Sequence, residues 1–385
     1  MRNPGERVLE RVNDITVIRL PPLRRRGGIS SYIFEYVAFT ILSTLTLAVR
    51  GLRRPYQLVE VNNLPDWLVI AAALPKLRGA KITFYCREDT GRLLAADRSL
   101  SLRHPAVRFL SFVNRTCARM ADGIIVTQEL GRRDFVDKGI PAEKVLGIAN
   151  SCDEHAFFVK LPSGPMSFEL PPPEVGTFRL VTHGTLVRRY GIETLLRAMA
   201  SLLTDIPNIH LDILGDGSYR GRLESLTDEL GLRPHVTFTG WLPRYEQVAP
   251  RLAMAHVGVN PIWTDFQLCN KLVDYLALGM PAISTDCEAL IPYLDDSEVS
   301  FVPPRDVQAL ADAIAKLYRD EKYRFRLAAA GHAAYLRHFA WERAKPDYVA
   351  LYQNGANHHS EPVERDANQT ADIEHISQDL VSTRS

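Results

Sequence analysis

The feature that most constrains the fold is an alternation of short apolar runs with longer helical segments along most of the chain. The runs indicate β-strands because they are rich in Val, Ile, Leu, Thr and Phe and are bounded by polar residues or glycine. They are ITVIRL (15–20), YQLVEV (56–61), KITFYC (81–86), GIIVTQ (123–128), FRLVTH (178–183), IHLDIL (209–214), HVTFTG (235–240), AHVGVN (255–260) and PAIST (281–285). Strands that alternate with helices predict an α/β protein with parallel sheets and helices on both sheet faces.

A segment rich in proline divides this pattern into two blocks. LPSGPMSFELPPPEVG (161–176) contains five prolines and two glycines, which is typical of a linker. We therefore predict two Rossmann-like, doubly wound domains facing a cleft, over 1–160 and 161–335. A closing helix is predicted over 336–353, and the polar stretch 354–385 has the composition of a disordered tail. Ligands of such domains bind at the carboxyl ends of the strands, here between the two domains.

Charge is distributed unevenly, although the formal net charge is only +1. Residues 1–150 hold 24 Lys and Arg against 14 Asp and Glu, and the remainder is acidic. The apolar stretch YIFEYVAFTILSTLTLAV (32–49) is flanked by arginines, namely Arg24, Arg25, Arg26, Arg50, Arg53 and Arg54. This pattern is typical of contact with an anionic membrane surface, and equally of a buried domain helix with solvated ends. Nucleic acid is disfavoured because the basic clusters contain no aromatics and no nucleic-acid-binding motif occurs.

The start of the chain and its cysteines indicate the compartment. MRNPGERVLERVND is polar and does not resemble a secretory leader, and the five cysteines form neither a CxxC pair nor a metal-binding pattern. We predict a cytoplasmic protein, peripheral on the inner face of a membrane if the basic region binds lipid, with no bound metal.

The loop after FRLVTH has features of a phosphate site. Gly184 permits a tight turn, Gly191 opens an amphipathic helix, and Arg188 and Arg189 lie between them. Backbone N–H groups, a helix N-terminus and guanidinium groups all favour a diphosphate. The alternative is an ordinary strand–helix loop with exposed arginines.

A second glycine loop follows IHLDIL. Gly215, Gly217 and Gly221 are spaced as G-x-G-x-x-x-G, which invites a dinucleotide-binding interpretation. That interpretation needs an acidic residue at the end of the next strand to bind a ribose, and HVTFTG ends in Thr239 and Gly240. An NAD enzyme is therefore disfavoured.

NKLVDYLALGMPAIST (270–285) reads as a helix followed by a strand. Its N-terminal end is predicted at the ligand-binding edge, where Lys271 and the helix dipole favour an anion. One turn later, Asp274 could accept hydrogen bonds from a ribose diol. Taken alone, the segment also fits an ordinary amphipathic helix.

Together these segments resemble the retaining GT-B glycosyltransferases of family 4, the group 1 type, from about Asp14 to Tyr352. HGTLVRRYGIETLLRAM, ILGDGSYRGRL and NKLVDYLALGMPAIST resemble donor-domain motifs of that family, and FAWERAKPDYVALY (339–352) resembles the helix that crosses back to the N-terminal domain. The resemblance implies a nucleoside diphosphate sugar as donor and neither metal nor cofactor. It implies that Asp274 binds the ribose and that Asn270 and Lys271 face the diphosphate. The donor loops would contribute Gly184, Thr185, Gly191, Gly215 and Gly217.

The chain departs from the family in the donor loop. Thr185 and Tyr190 stand where many members have Arg and Lys. Arg188 and Arg189 are therefore left, with Lys271, to stabilise the leaving diphosphate.

The sugar and acceptor regions depart as well. Phe266 stands where the family often has a Glu that contacts the donor sugar, so Asp265 or Gln267 would have to substitute. YCREDTGR replaces the family's acceptor-side DxHDxxPE, which makes Arg87 and Glu88 the acceptor-side residues. The family also begins with a strand, a loop and a helix before the segment that resembles DITVIRL, so we expect the N-terminal domain to lack its first strand.

These features predict a glycosyltransferase that moves a sugar, with retention, to a lipid-linked or polysaccharide acceptor. Two alternatives stay open. One is a non-catalytic GT-B subunit or scaffold of a glycan-assembly complex, suggested by the altered YCREDTGR and the missing strand. The other is a GT-B enzyme of different chemistry, such as a nucleotide-sugar epimerase.

Overall fold

The computed structural model describes residues 8–12, 14–20, 29–152, 154, 176–242 and 245–356. Arg24–Arg26, nearly all of the predicted linker and the predicted tail from residue 357 lie outside the described residues.

The N-terminal domain contains a four-stranded parallel sheet and a small antiparallel hairpin. The hairpin pairs β1 (Leu9–Val12) with β2 (Ile15–Ile18). The parallel sheet has the order β3-β4-β5-β6, formed by β3 (Leu58–Asn62), β4 (Lys81–Cys86), β5 (Gly123–Val126) and β6 (Val145–Gly147).

The expectation that ITVIRL joins a parallel sheet is wrong. Asp14, with a φ of 65°, supports a tight reversal that pairs β2 with the segment just before it. Local antiparallel pairing requires no crossover helix, whereas a parallel partner would. Within the described part of the chain, β3 therefore ends the sheet on the side where a preceding strand would pair.

Helices pack against the N-terminal sheet. They are α1 (Ile29–Arg53), α2 (Ala73–Leu77), α3 (Thr90–Arg98), α4 (Pro105–Met120) and α5 (Glu129–Asp137), with 3-10 turns at Asp66–Ala72 and Ala142–Lys144. The core between sheet and helices is apolar, with Ile82, Phe84 and Ile124 almost fully buried.

The C-terminal domain is a six-stranded parallel sheet of order β12-β11-β10-β7-β8-β9. Its strands are β7 (Phe178–His183), β8 (Ile209–Leu214), β9 (Val236–Gly240), β10 (Val257–Asn260), β11 (Ala282–Thr285) and β12 (Ser300–Val302). The helices are α6 (Ile192–Leu202), α7 (Arg220–Glu229), α8 (Tyr245–Leu252), α9 (Asn270–Ala277), α10 (Val307–Arg319) and α11 (Glu321–His338), with 3-10 turns at Arg188–Tyr190 and Arg233–His235. The strand order reverses beside β7, so the loops after β7 and β10 flank a switch point where ligands bind.

The last described helix, α12 (Trp341–Ala356), runs from the C-terminal domain onto the N-terminal one. The hydroxyls of Tyr348 and Tyr352 both donate to the Glu60 carboxylate on β3. The helix thus lies beside the end strand of the N-terminal sheet.

Candidate functional site

A cleft of about 820 Å³ lies between the carboxyl ends of the two sheets. This volume is in the range that holds small-molecule ligands. The N-terminal domain contributes, among others, Tyr85, Arg87, Glu88, Gln128 and Asn150. The C-terminal domain contributes, among others, His183, Thr185, Trp241, Gln267, Lys271 and Asp274.

The floor of the cleft is formed by the loops after β7 and β8, which pack backbone to backbone. Gly184 N donates to Leu214 O at 2.9 Å, and Leu186 N donates to Asp216 O at 2.9 Å. A Cβ added at Gly215 would lie 1.9 Å from Gly184 O. A Cβ added at Gly217 would lie 2.3 Å from Leu186 O. The G-x-G spacing is therefore required for the contact between the two loops, and of these glycines Gly184 and Gly215 line the cleft.

Lys271 is a buried cation at the start of α9. It is 5% exposed, lines the cleft, and its Nζ lies 4.4 Å from the centroid of the Tyr190 ring. None of the ion pairs among the described residues includes Lys271. Burial lowers the pKa of its ammonium group. A buried cation beside a helix N-terminus, facing a cavity, is suited to an anionic ligand.

Asp274 lies one turn farther along α9, and its carboxylate is engaged by the protein. It is 1% exposed, and its Oδ2 lies 2.9 Å from His183 Nε2. His183 Nδ1 lies 3.3 Å from the Tyr275 hydroxyl, and the two rings meet edge to face. Asp274 therefore belongs to the wall of the cleft and fixes the His183 ring. His183 was not predicted, although its position at the end of β7 is one where ligand-facing side chains collect.

Asn270, the first residue of α9, also lines the cleft and connects α9 to the N-terminal domain. Its Oδ1 accepts a hydrogen bond of 2.7 Å from Asn150 Nδ2 on the N-terminal domain. Gln128 makes a second bridge, donating from Nε2 to Phe266 O and accepting from Leu268 N. The loop before α9 is thus hydrogen-bonded to the N-terminal domain.

Arg188 and Arg189 do not line the cleft. Arg188 is exposed beside the Trp263 ring, and Arg189 pairs with Asp97 on α3, Nη1 to Oδ1 at 2.5 Å. Gly191 does not line the cleft either. It has a left-handed φ of 66° and packs against the backbone of Pro261, whose O would lie 1.8 Å from an added Cβ. The role of these residues at a diphosphate stays a prediction, and Lys271 is the one of the three expected cations that the structure brings to the cleft.

Arg87 and Glu88 face the cleft from the opposite side. The Arg87 guanidinium lies 5.0 Å from the centroid of the Tyr85 ring. The Glu88 carboxylate accepts from Gln267 Nε2 at 3.1 Å across the two domains. Burial is the main cause that raises the pKa of Glu88, opposed by this hydrogen bond. Gln267, one of the two residues expected to substitute for the family Glu, therefore contacts Glu88, which the sequence predicts for the acceptor side.

The loop that carries Arg87 and Glu88 is held by Asn63, which the sequence did not single out. The buried Asn63 accepts from Arg87 N at 2.8 Å and donates to Glu88 O at 2.7 Å. It also donates to Asp66 Oδ1 at 2.9 Å, and burial raises the pKa of that Asp66 carboxyl. Asn63 thus orients the backbone from which the two cleft side chains project.

We expect Asn63→Ala to lower the free energy of unfolding by about 2–4 kcal/mol, because it leaves a buried N–H and a buried carboxylate without this partner. Urea denaturation measures the change. Asn62→Ala is the matched control, since among the described residues the Asn62 side chain donates to Glu60 alone, and a loss below about 1 kcal/mol is expected there. Equal losses for the two variants would contradict the role given to Asn63.

Two sheets that face a cleft, with a buried lysine at a helix start, define a two-domain α/β protein whose cleft is suited to an anionic small molecule. Family models identify its type. "Glycosyl transferase 4-like domain" matches residues 2–151, and "Glycosyl transferases group 1" matches residues 177–320. The chain belongs to the group 1 glycosyltransferases.

Two relatives illustrate this similarity. The chain is 32% identical over 173 residues to the lipopolysaccharide core biosynthesis glycosyltransferase LpsE of Rhizobium meliloti, covering 45% of this chain and 48% of that one. It is 31% identical over 171 residues to the phosphatidyl-myo-inositol mannosyltransferase of Mycobacterium leprae, covering 44% of each. The matched regions span about half the length of these relatives.

Solved structures show the same fold. Sucrose-phosphate synthase from Thermosynechococcus elongatus superposes with a TM-score of 0.73 at 22% identity, covering 91% of this chain and 86% of that chain. Anabaena HepE in complex with UDP superposes with a TM-score of 0.66 at 15% identity, covering 82% of each. The predicted GT-B fold is confirmed.

Proposed function

We propose that this protein transfers a sugar, with retention, from a nucleoside diphosphate sugar to a glycan or lipid-linked acceptor. The observation that carries the proposal is Lys271. A buried ammonium group without a carboxylate partner among the described ion pairs is costly unless a ligand supplies the negative charge.

The cleft offers a consistent place for each part of such a donor. The diphosphate would lie against Lys271 and the start of α9, with Gly184 and Thr185 beneath it. The ribose would lie near the His183–Asp274 pair. The exposed ring of Trp241 lines the cleft after β9 and offers an apolar face for the base. The solved complex of HepE with UDP supports a uridine or similar nucleotide.

Electrostatic stabilisation of the leaving group would drive the reaction. Negative charge grows on the diphosphate as the glycosidic bond breaks, and Lys271 with the α9 N-terminus would stabilise this charge. Glu88 and Arg87 face the same space from the N-terminal domain, where the acceptor would enter. The names of the relatives support an envelope glycan or a glycolipid as the acceptor. No metal or organic cofactor is proposed, and the described residues contain no cluster of three His, Cys, Asp or Glu side chains suited to a metal.

A non-catalytic GT-B subunit is the second possibility. The ion pair of Arg189 with Asp97 and the contact of Glu88 with Gln267 favour it, because both engage groups that an active site would present to ligands. Such a subunit would bind a nucleotide without transferring sugar.

A transfer assay separates the two. The full chain is incubated with radiolabelled UDP- and GDP-sugars and with detergent-extracted glycolipids or lipopolysaccharide cores. We expect label in the acceptor and, by NMR, an anomeric configuration that matches the donor. Nucleotide binding without transfer to any acceptor would favour the scaffold, and an inverted product would exclude retention.

A further inference from the structure

One helix of the N-terminal domain exposes a long apolar face. Ile33, Val37, Ile41, Leu45 and Val49 recur every four residues along α1 and are each 45–57% exposed. Residues four apart are neighbours on a helix surface, so the five side chains form a continuous stripe that slants around α1. Leu52 is also exposed, near the C-terminal end of the stripe. Exposed apolar surface of this extent marks a binding surface.

The opposite side of α1 packs on the domain. The Tyr36 ring meets the Trp67 ring edge to face with centroids 6.4 Å apart, Leu47 packs against the N-terminal core, and Gly51 lies against the Tyr56 ring. By length and composition alone, Ile33–Arg53 could cross a membrane. A helix that is covered by its own domain along one side cannot be surrounded by lipid, so it is suited to lying in a membrane interface.

Positive charge lies at the C-terminal end of this apolar stripe. Arg50, Arg53 and Arg54 are exposed there. The neighbouring α2, which packs against α1, ends at the exposed Leu77 and is followed by the exposed Arg78. Basic side chains next to an embedded apolar face attract anionic headgroups.

We propose that the apolar stripe of α1 and its terminal arginines dock the protein on the surface of an anionic lipid bilayer. A second copy of the chain fits less well, because Glu35 is the one acidic residue within α1 and could balance few of the arginines. Bilayer phosphates can balance each of them. Docking of this kind would place the cleft beside membrane-embedded acceptors.

Vesicle co-sedimentation of the full chain tests the proposal. We expect binding to phosphatidylcholine vesicles with about 30% phosphatidylglycerol, and little binding to phosphatidylcholine alone. Ile41→Glu with Leu45→Glu should weaken binding by about tenfold or more, because two charges would enter the apolar layer. Arg53→Gln with Arg54→Gln should weaken it by about tenfold and reduce its salt dependence.

Ile291→Glu, in the C-terminal domain, is the matched control and should bind as the unmodified chain does, since Ile291 is exposed but outside the stripe. Wild-type chain that remains in the supernatant, or stripe variants that sediment normally, would overturn the proposal. The proposal would also be overturned if light scattering showed that the wild-type chain is a dimer, the stripe variant is a monomer, and neither binds vesicles. Nucleotide titration of the same variants is expected to be unchanged, so failure of lipid docking is distinguishable from failure of the proposed transfer.

Discussion

Lys271→Met should weaken nucleoside diphosphate binding by about 10- to 100-fold, the loss expected when a charge-assisted contact is removed. The variant should nevertheless melt no lower than the wild type. Methionine fills a similar volume and relieves the burial of an ammonium group whose pKa is already lowered by desolvation. Ligand affinity should therefore fall while stability is kept or raised, which is typical of a residue retained for binding.

Lys316→Met is the matched control for this substitution. Lys316 Nζ also lies over a tyrosine ring, 4.0 Å from the centroid of Tyr323, but the residue is exposed and outside the cleft. Calorimetric titration should show unchanged nucleotide affinity for it. A Lys271→Met variant that binds as the wild type does would remove the observation on which the function rests.

The same lysine predicts a pH dependence of nucleotide binding. A bound diphosphate favours the charged ammonium, so the pKa of Lys271 is higher in the complex than in the free protein. Affinity should be constant below the lowered pKa of the free protein and should fall as pH rises from that value toward the pKa in the complex. Within this window, titrations in buffers of different ionisation enthalpy should show proton uptake, which Lys271→Met abolishes. Equal affinity of the wild type across this window would contradict the assignment.

Gly215→Ala should have the largest effect on stability, a loss of more than about 3 kcal/mol in the free energy of unfolding. Two independent features cause it. The φ of Gly215 is 147°, which L-residues rarely adopt, and an added Cβ would lie 1.9 Å from the backbone oxygen of Gly184. Because Gly184 lies beneath the proposed diphosphate, any folded variant should also bind nucleotide more weakly.

Gly221→Ala provides the contrast within the same glycine-rich stretch. Gly221 lies in the first turn of α7, and an added Cβ meets nothing within 4 Å. Alanine should change the free energy of unfolding by less than about 1 kcal/mol, toward greater stability, because it favours a helix over glycine. Urea denaturation of the two variants gives the comparison. Similar losses in the free energy of unfolding for the two variants would contradict the role of Gly215 in the contact between the two loops.

Most of the sheet could be predicted because buried parallel strands are continuous apolar runs. KITFYC, FRLVTH and IHLDIL have the same limits as β4, β7 and β8. ITVIRL formed a strand, but the pattern of one strand does not specify its partner. Its antiparallel hairpin depends on the reversal at Asp14.

The candidate site could be predicted where a residue directly follows a strand or begins a helix. Gly184, Gly215 and Lys271 reach the cleft for that reason. Arg189 does not reach the cleft. Its side chain is directed by an ion pair with Asp97, far away in sequence, and its backbone is bonded to the loop at Trp263. Asn63 was missed because its partners at residues 87 and 88 become neighbours only when β3 and β4 pair.

The most direct test of the central claim is calorimetric titration of the full chain with UDP, GDP and their common sugar conjugates. We expect one nucleotide to bind at a single site per chain, its sugar conjugate to bind at the same site, and Lys271→Met to weaken both. A folded chain that binds none of these ligands would contradict a nucleoside diphosphate site in the cleft.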